Sequence, residues 1–173
     1  MRKLRYSVAA SLDGFIAGPN GEYDWIVADP SFDFAALWNE FDTLLMGRRT
    51  FEVAIKRFPS LHAMGKKIVV VSTTLKQYPG ATILNEKIPE AVAVLKAESS
   101  PKSSKDIWLM GGGILFRTLF DAGLVDTVEL SIIPILLGSG TPLIPAGNRC
   151  PLRLEESSSL PNGSLILRYA VGR

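Results

Sequence analysis

Three consecutive glycines, Gly111-Gly112-Gly113, constrain this chain more than any other feature, because of what flanks them. Ile107 to Met110, just before them, is a short apolar run of buried-strand character. Just after them, Leu115, Phe116, Leu119 and Phe120 recur at helical spacing. A strand therefore turns directly into a helix here. The first N–H groups of such a helix have no partner within it. Residues without Cβ atoms let an anion sit on those groups and on the positive end of the helix dipole. A phosphate or diphosphate is the natural ligand. The same glycines also suit a bare tight turn, so the rest of the chain has to separate the two readings.

Strand and helix signals alternate along the sequence. Residues 3–10 read as a first strand, and a loop rich in Gly, Asp and Pro follows from Ser11 to Pro30. Ser31 is a candidate N-cap for a helix with Phe34, Leu37, Trp38 and Phe41 on one face. Thr43 to Met46 is a second strand, with Gly47 turning into a helix at about residues 49–57. Lys67 to Ser72, with its Ile-Val-Val-Val run, has the β-branched character of a buried strand. Ala81 to Leu84 is a short strand, and Ile88 to Ala97 a helix with Pro89 in its first turn. Glu98 to Lys105 is a polar surface loop. Val125 to Ile133 is a long strand, followed by a loop at Gly138 to Pro142. Strands near 151–157 and at 165–171 form a hairpin about Asn162-Gly163. The expected fold is one α/β domain over residues 1–173, with a central, mostly parallel sheet flanked by helices and an antiparallel C-terminal hairpin.

Composition removes several classes of function. A net charge of +2 gives no basic surface for nucleic acid or for an acidic membrane. No run approaches 18 apolar residues, and the N-terminus has no secretory pattern, so a cytoplasmic protein is expected. The single cysteine, Cys150, excludes an internal disulfide and any multi-cysteine metal site. The single histidine, His62, lies in a loop-like segment from Pro59 to Gly65, which argues against a Cys–His pair, a Ser–His–Asp triad or an imidazole-based metal centre.

Two further segments share the position of the triple glycine. Met46-Gly47-Arg48-Arg49-Thr50 places arginines beside a helix N-terminus, where a guanidinium suits a phosphate through paired hydrogen bonds. Val71-Ser72-Thr73-Thr74 places hydroxyls at the end of the Ile-Val-Val-Val strand; these either make a turn or hold another phosphate. In open α/β sheets, ligands bind outside the carboxyl ends of the strands. Three such sites suit a dinucleotide with an extra 2′-phosphate. No Gly-x-Gly-x-x-Gly follows the first strand, so the domain is not of the Rossmann type.

The order of these segments resembles the dihydrofolate reductase superfamily, and within it the reductase domain of the riboflavin-biosynthesis deaminase-reductase proteins. The motifs are Ser11-Leu12-Asp13-Gly14-x-Ile16-Ala17, Met46-Gly47-Arg48-x-Thr50-x-Glu52, Val71-Ser72-Thr73, Met110-Gly111-Gly112-Gly113 and Leu136 to Leu143. The resemblance implies NADPH as cofactor. The backbone at Ala9 and Ile16 would hold the nicotinamide carboxamide. Gly47, Arg48 and Thr50 would face the phosphates, Ser72 and Thr73 the adenosine 2′-phosphate. Gly111, Gly112 and Gly113, with Ile114 beside them, would cradle the diphosphate. Asp13 or Asp33, or water, would deliver a proton, and Trp25 and Phe34 would wall the substrate. Met110 stands where the pyrimidine reductases carry Glu, and Asp33 matches the pterin-holding acid of dihydrofolate reductases only loosely. The implied function is reduction of a small heterocycle, most like 5-amino-6-(5-phosphoribosylamino)uracil, by a homodimer. A dihydrofolate reductase, a nucleotide-binding module without activity and a purely structural domain are the alternatives. The pairing surface expected is the apolar run Ile132, Ile133, Ile135, Leu136 and Leu137, which would otherwise be a central strand buried on both faces.

Overall fold

The structure is a computed structural model that describes residues 1–61, 64–98 and 105–172. His62 and most of the polar loop expected at Glu98 to Lys105 lie outside the described residues.

The apolar runs and their periodicities build one large sheet. Its strands are β1 (Leu4–Ser11), β3 (Phe41–Gly47), β4 (Lys67–Val71), β5 (Ala81–Leu84), β6 (Asp106–Leu109), β7 (Thr127–Ile133), β9 (Leu152–Ser159) and β10 (Leu165–Val171). They are ordered β5-β4-β3-β6-β1-β7-β10-β9. The six strands from β5 to β7 are parallel, and β10 runs antiparallel to β7 and β9. The expected α/β fold with its C-terminal hairpin is therefore present.

Helices cover both faces of the parallel part. On one face, α3 (Ile88–Ala97) and α4 (Gly113–Asp121) bury Val92, Leu95, Leu115, Phe116 and Leu119 against Leu4, Tyr6, Val69, Ile107 and Leu109. On the other, α1 (Phe34–Asn39) and α2 (Arg48–Arg57) pack Leu37, Trp38 and Phe51 against Phe41, Leu44, Ile68, Val70 and Trp108.

Three local expectations are corrected. Asp33, not Ser31, caps α1, its carboxylate accepting from the Ala36 N–H at 2.8 Å; Ser31 instead donates to Asp29. Phe41 opens β3 rather than continuing the helix, because its ring is needed in the core beneath Trp108. Two very short strands, β2 (Phe15–Ala17) and β8 (Thr141–Pro142), join loops expected to be unpaired. Segments of three and two residues carry no readable periodicity. Of the apolar run after residue 131, Ile132 and Ile133 close the interior strand β7, the first half-buried and the second buried, while Ile135, Leu136 and Leu137 follow it outside the sheet, with Leu136 exposed and the other two half-buried.

Candidate functional site

The carboxyl ends of the neighbouring strands β4, β3 and β6 open into one cleft of about 1290 Å³. Small-molecule pockets run to about 300–1000 Å³, so this one has room for a dinucleotide and a second small molecule. Gly47, Arg48 and Thr50 enter it from the β3–α2 turn, and Gly111, Gly112, Gly113 and Ile114 from the β6–α4 turn. Ala9, Ile16 and Val71 complete that half.

The two turns face each other. Gly111 and Gly112 have φ of 138° and 90°, a region that favours glycine. A Cβ on Gly111 would stand 3.8 Å from Thr50 Oγ1, inside the space between the turns. Gly47 precedes α2 and Gly112 precedes α4, and neither helix start is closed by a side-chain cap. Two sets of helix N–H groups thus remain available at one cleft, which is the chemistry that holds phosphate. Arg48 reaches the same place, steadied by Glu52 at 3.2 Å.

Ser72, Thr73, Asp13 and Asp33 are placed outside the residues that line the cleft. Ser72 is buried, and its Oγ accepts the N–H groups of Thr74 and Leu75 at 3.2 and 2.9 Å, closing the turn after β4. Thr73 is exposed beside it, and its carbonyl accepts from Lys76 Nζ at 3.2 Å, which brings a cation that sequence reasoning missed. Asp13 accepts from Ser11 Oγ and from the N–H groups of Gly138 and Leu137, at 2.6, 2.7 and 3.1 Å. These bonds, the Ser11 hydroxyl first, hold its carboxyl below the usual value. Asp13 thereby ties the loop after β1 to the loop after β7.

The other half of the cleft lies on the α1 and α2 side of the sheet. Its floor is Ser7, Ala9 and Trp108; Val53 of α2 and Tyr23 and Ile26 of the loop before α1 stand around it. Trp108 is fixed by its Nε1–H, which donates to the Ser7 carbonyl at 2.8 Å. Its ring packs on Phe41, Trp38 and Phe34, with centroids 5.0, 6.0 and 6.1 Å away. Phe34 therefore packs beside Trp108 without lining the cleft, while Trp25 donates its indole N–H to the Glu22 carbonyl. Sequence reasoning missed Trp108, Tyr23, Ile26 and Val53 because each reads as ordinary core or loop. Glu52 is the one carboxylate among the described residues that line the cleft. No group of His, Cys, Asp and Glu among the described residues is arranged to hold a metal ion, and no described helix is long and apolar enough to cross a membrane.

Fold and cleft together define an α/β domain of the dihydrofolate reductase type, with two opposed helix N-termini at a dinucleotide-sized site. A dihydrofolate reductase from Enterococcus faecalis, solved with NADP(H), superposes with a TM-score of 0.72 at 18% identity, over 99% of this chain and 97% of that one. More particularly, residues 2–166 match the RibD C-terminal domain, and the chain belongs to that family. It is 35% identical to the uncharacterized protein YyaP of Bacillus subtilis, over 97% of this chain and 94% of that protein. A Shewanella protein named for riboflavin biosynthesis superposes with a TM-score of 0.83 at 25% identity, each chain fully covered. The Thermotoga maritima deaminase/5-amino-6-(5-phosphoribosylamino)uracil reductase superposes with a TM-score of 0.73 at 13% identity. That match takes in 99% of this chain and 57% of the larger one.

Proposed function

We propose that the chain is an NADPH-dependent reductase of a small heterocyclic substrate, most similar in chemistry to a 5-amino-6-(5-phosphoribosylamino)uracil reductase. The observation that carries this reading is the pair of uncapped helix starts facing each other across one cleft with Arg48 between them. Membership in the RibD C-terminal domain family supports it. Backbone N–H groups at Gly112 to Ile114 and Gly47 to Arg49 hold the diphosphate, and the backbone at Ala9 and Ile16 holds the nicotinamide carboxamide. Thr73, with Lys76 beside it, and the Ser72 turn receive the 2′-phosphate. When bound, NADPH supplies the hydride. The floor made by Ser7, Ala9 and Trp108 orients the heterocycle against it and excludes water from below. Glu52 is engaged with Arg48, so water delivers the proton. Asp13 and Asp33 act at one remove, the first by fastening the loop over the cleft and the second by starting α1.

The reading includes a cytoplasmic location and a homodimer. The face of β7, β10 and β9 that carries Leu130, Leu167, Leu165 and Leu154 supports the pairing. Leu154 and Leu165 are exposed there, and β9 is exposed along its whole length. Light scattering is expected to give about twice the 18.8 kDa of one chain; a monomer at micromolar concentrations would refute the pairing.

Thermal melts with each nicotinamide cofactor test the central claim. NADPH at about 100 times its dissociation constant adds roughly 2.7 kcal/mol, which is about 5–11 °C for a chain of this size, and NADH adds less. No shift with either ends the reductase reading. A shift without NADPH oxidation on the ribosylaminopyrimidine or on dihydrofolate turns it into a silent binding module. Turnover of dihydrofolate far above that of the pyrimidine reassigns the substrate.

A further inference from the structure

The half of the cleft built on Trp108 is lined by apolar side chains left open. Val53, Ile26 and Tyr23 are exposed there, and Ile16 and Met110 line the cleft as well. The Trp108 N–H already donates to the Ser7 carbonyl at 2.8 Å, so the indole offers a ring and no donor. The Ser7 side chain differs. Ser7 and Ala9, two residues apart on β1, share one face of the sheet, and both line the cleft. The Ser7 hydroxyl makes no hydrogen bond with any described residue. The floor is thus aromatic and apolar, with one free hydroxyl. Proton supply is the second constraint, because Glu52 is held by Arg48 at 3.2 Å. Hydride addition to a simple ketone leaves an alkoxide, roughly as basic as hydroxide, and calls for a strong acid in place as the hydride arrives. Hydride addition to a quinone leaves a phenolate-like anion. Phenols ionise near pKa about 10, so water can protonate that anion afterwards.

We infer that this half-cleft also reduces quinones: a flat, uncharged quinone ring rests on the Trp108 floor with Val53 and Ile26 around it, and the Ser7 hydroxyl donates to one of its carbonyl oxygens. The inference rests on the NADPH reading of the other half and adds a substrate class of its own. The quinone accepts a hydride, with its two electrons, as the C4–H bond of the nicotinamide breaks and NADPH becomes NADP+. Negative charge gathers on the oxygen that Ser7 meets, where a placed donor stabilises it. One proton from water completes the hydroquinone, so one NADPH is oxidised for each quinone reduced.

Duroquinone is the probe, because its methylated ring leaves no position for the free thiol of Cys150 to add to. Equilibrium dialysis against the chain saturated with NADP+ reads binding without turnover, and anaerobic NADPH oxidation reads the reaction. Duroquinone is expected to bind and to yield one hydroquinone per NADPH. Ser7→Ala removes no hydrogen bond of the described fold made by that hydroxyl. It is expected to weaken duroquinone binding by about 2- to 10-fold, the scale of a neutral hydrogen bond, and to leave NADPH affinity unchanged. Val53→Asp, at an exposed position, sets a charge against the ring and is expected to weaken duroquinone by about tenfold or more. No duroquinone binding beside intact NADPH binding overturns the inference alone. Binding without NADPH oxidation overturns it too, as does binding that neither variant weakens. Failure of both NADPH and NADP+ to bind overturns the reductase reading, and the inference with it.

Discussion

At the β5–β4–β3–β6 end of the sheet, helices lie on both faces and the strands are nearly all apolar. At the β7–β10–β9 end, one face is a row of charges and the other an exposed apolar surface. At the first end the carboxyl ends of β3 and β6 run into short glycine turns, and these face the cleft. The second end makes no glycine cradle, and its cohesion comes from side chains reaching across the strands. In the row Ser7, Glu129, Arg168, Glu156, set by strand register, Glu129 is paired on both sides. Arg5 Nε and Nη2 donate to its two oxygens at 2.7 and 2.8 Å. Arg168 Nε approaches at 3.4 Å, and Thr127 Oγ1 donates at 2.9 Å. Glu40 contacts Arg5 from the far side, and Arg168 reaches Glu156 at 3.2 Å. The cleft and most of this charge pairing thus lie on different parts of the sheet and meet at Ser7, which lines the cleft and opens the charged row.

The largest expected effect breaks the charged end. Arg5 and Glu129 are 6% and 7% exposed, so Glu129→Ala strands a buried guanidinium. Removing one member of a buried pair costs about 3–5 kcal/mol. Glu40 and Asp106 still face Arg5, which places this case at the low end, near a 6–12 °C fall in melting temperature. NADPH affinity, measured well below the melt, should match that of the parent chain. A parallel loss of affinity would show that the two ends are not separable.

The asymmetry also explains what could be read from the sequence. Ile68 to Val71 and Ile107 to Leu109 are continuous apolar runs, the first stopping at the hydroxyls Ser72 and Thr73 and the second just before the triple glycine, so the parallel end and the glycine turns of the cleft were legible. β5 and α3 are found where propensity placed them. Asp13 and Asp33 were singled out as acids near a substrate. Asp-Gly after a strand and Asp before a helix look the same whether the carboxylate meets a ligand or a backbone N–H, and here both meet N–H groups. The charged row was not legible, because Arg5, Glu129 and Arg168 alternate with apolar neighbours as solvent-facing residues do. Only strand register reveals that they stack. Trp108 was hidden for the opposite reason: an indole inside an apolar run reads as core, and most of this one is.

Gly112→Ala breaks the cleft and spares the rest. The residue sits at φ 90° and ψ 90°. An added Cβ meets Leu115 Cβ at 3.8 Å and Thr50 Oγ1 at 4.0 Å, so space is adequate and backbone strain is the cost. Such conformations cost a non-glycine residue about 1–3 kcal/mol. The melting temperature should fall less than in Glu129→Ala, while NADPH binding falls by about tenfold or more because the methyl group enters the phosphate cradle. Full retention of NADPH affinity would mean that the β6–α4 turn is a bare turn.

The smallest effect tests the seam between the two ends. Asp29 Oδ1 accepts from the Ser31 N–H and hydroxyl at 2.8 and 2.6 Å, and Oδ2 accepts from the Asn162 N–H at 2.9 Å. Asn162 belongs to the β9–β10 turn, and its side-chain amide donates to the Val27 carbonyl at 3.4 Å. The loop that brings Tyr23 and Ile26 to the cleft is thereby pinned to the antiparallel end. These hydrogen bonds, Ser31 first, hold the Asp29 carboxyl below its ordinary value of 3.8. A depressed folded-state value means stability that is present above the unfolded value and is lost as pH falls through the folded one. Part of the acid loss below pH 3.8 therefore belongs to Asp29. Asp29→Asn should lower the melting temperature at neutral pH and flatten its decline in acid, with Asp13, Glu22 and Asp121, also held below their ordinary values, contributing to the slope that remains. Melts of both proteins from about pH 2.5 to 7 measure the difference. Curves that stay parallel throughout would show that the carboxylate charge of Asp29 contributes nothing to the seam.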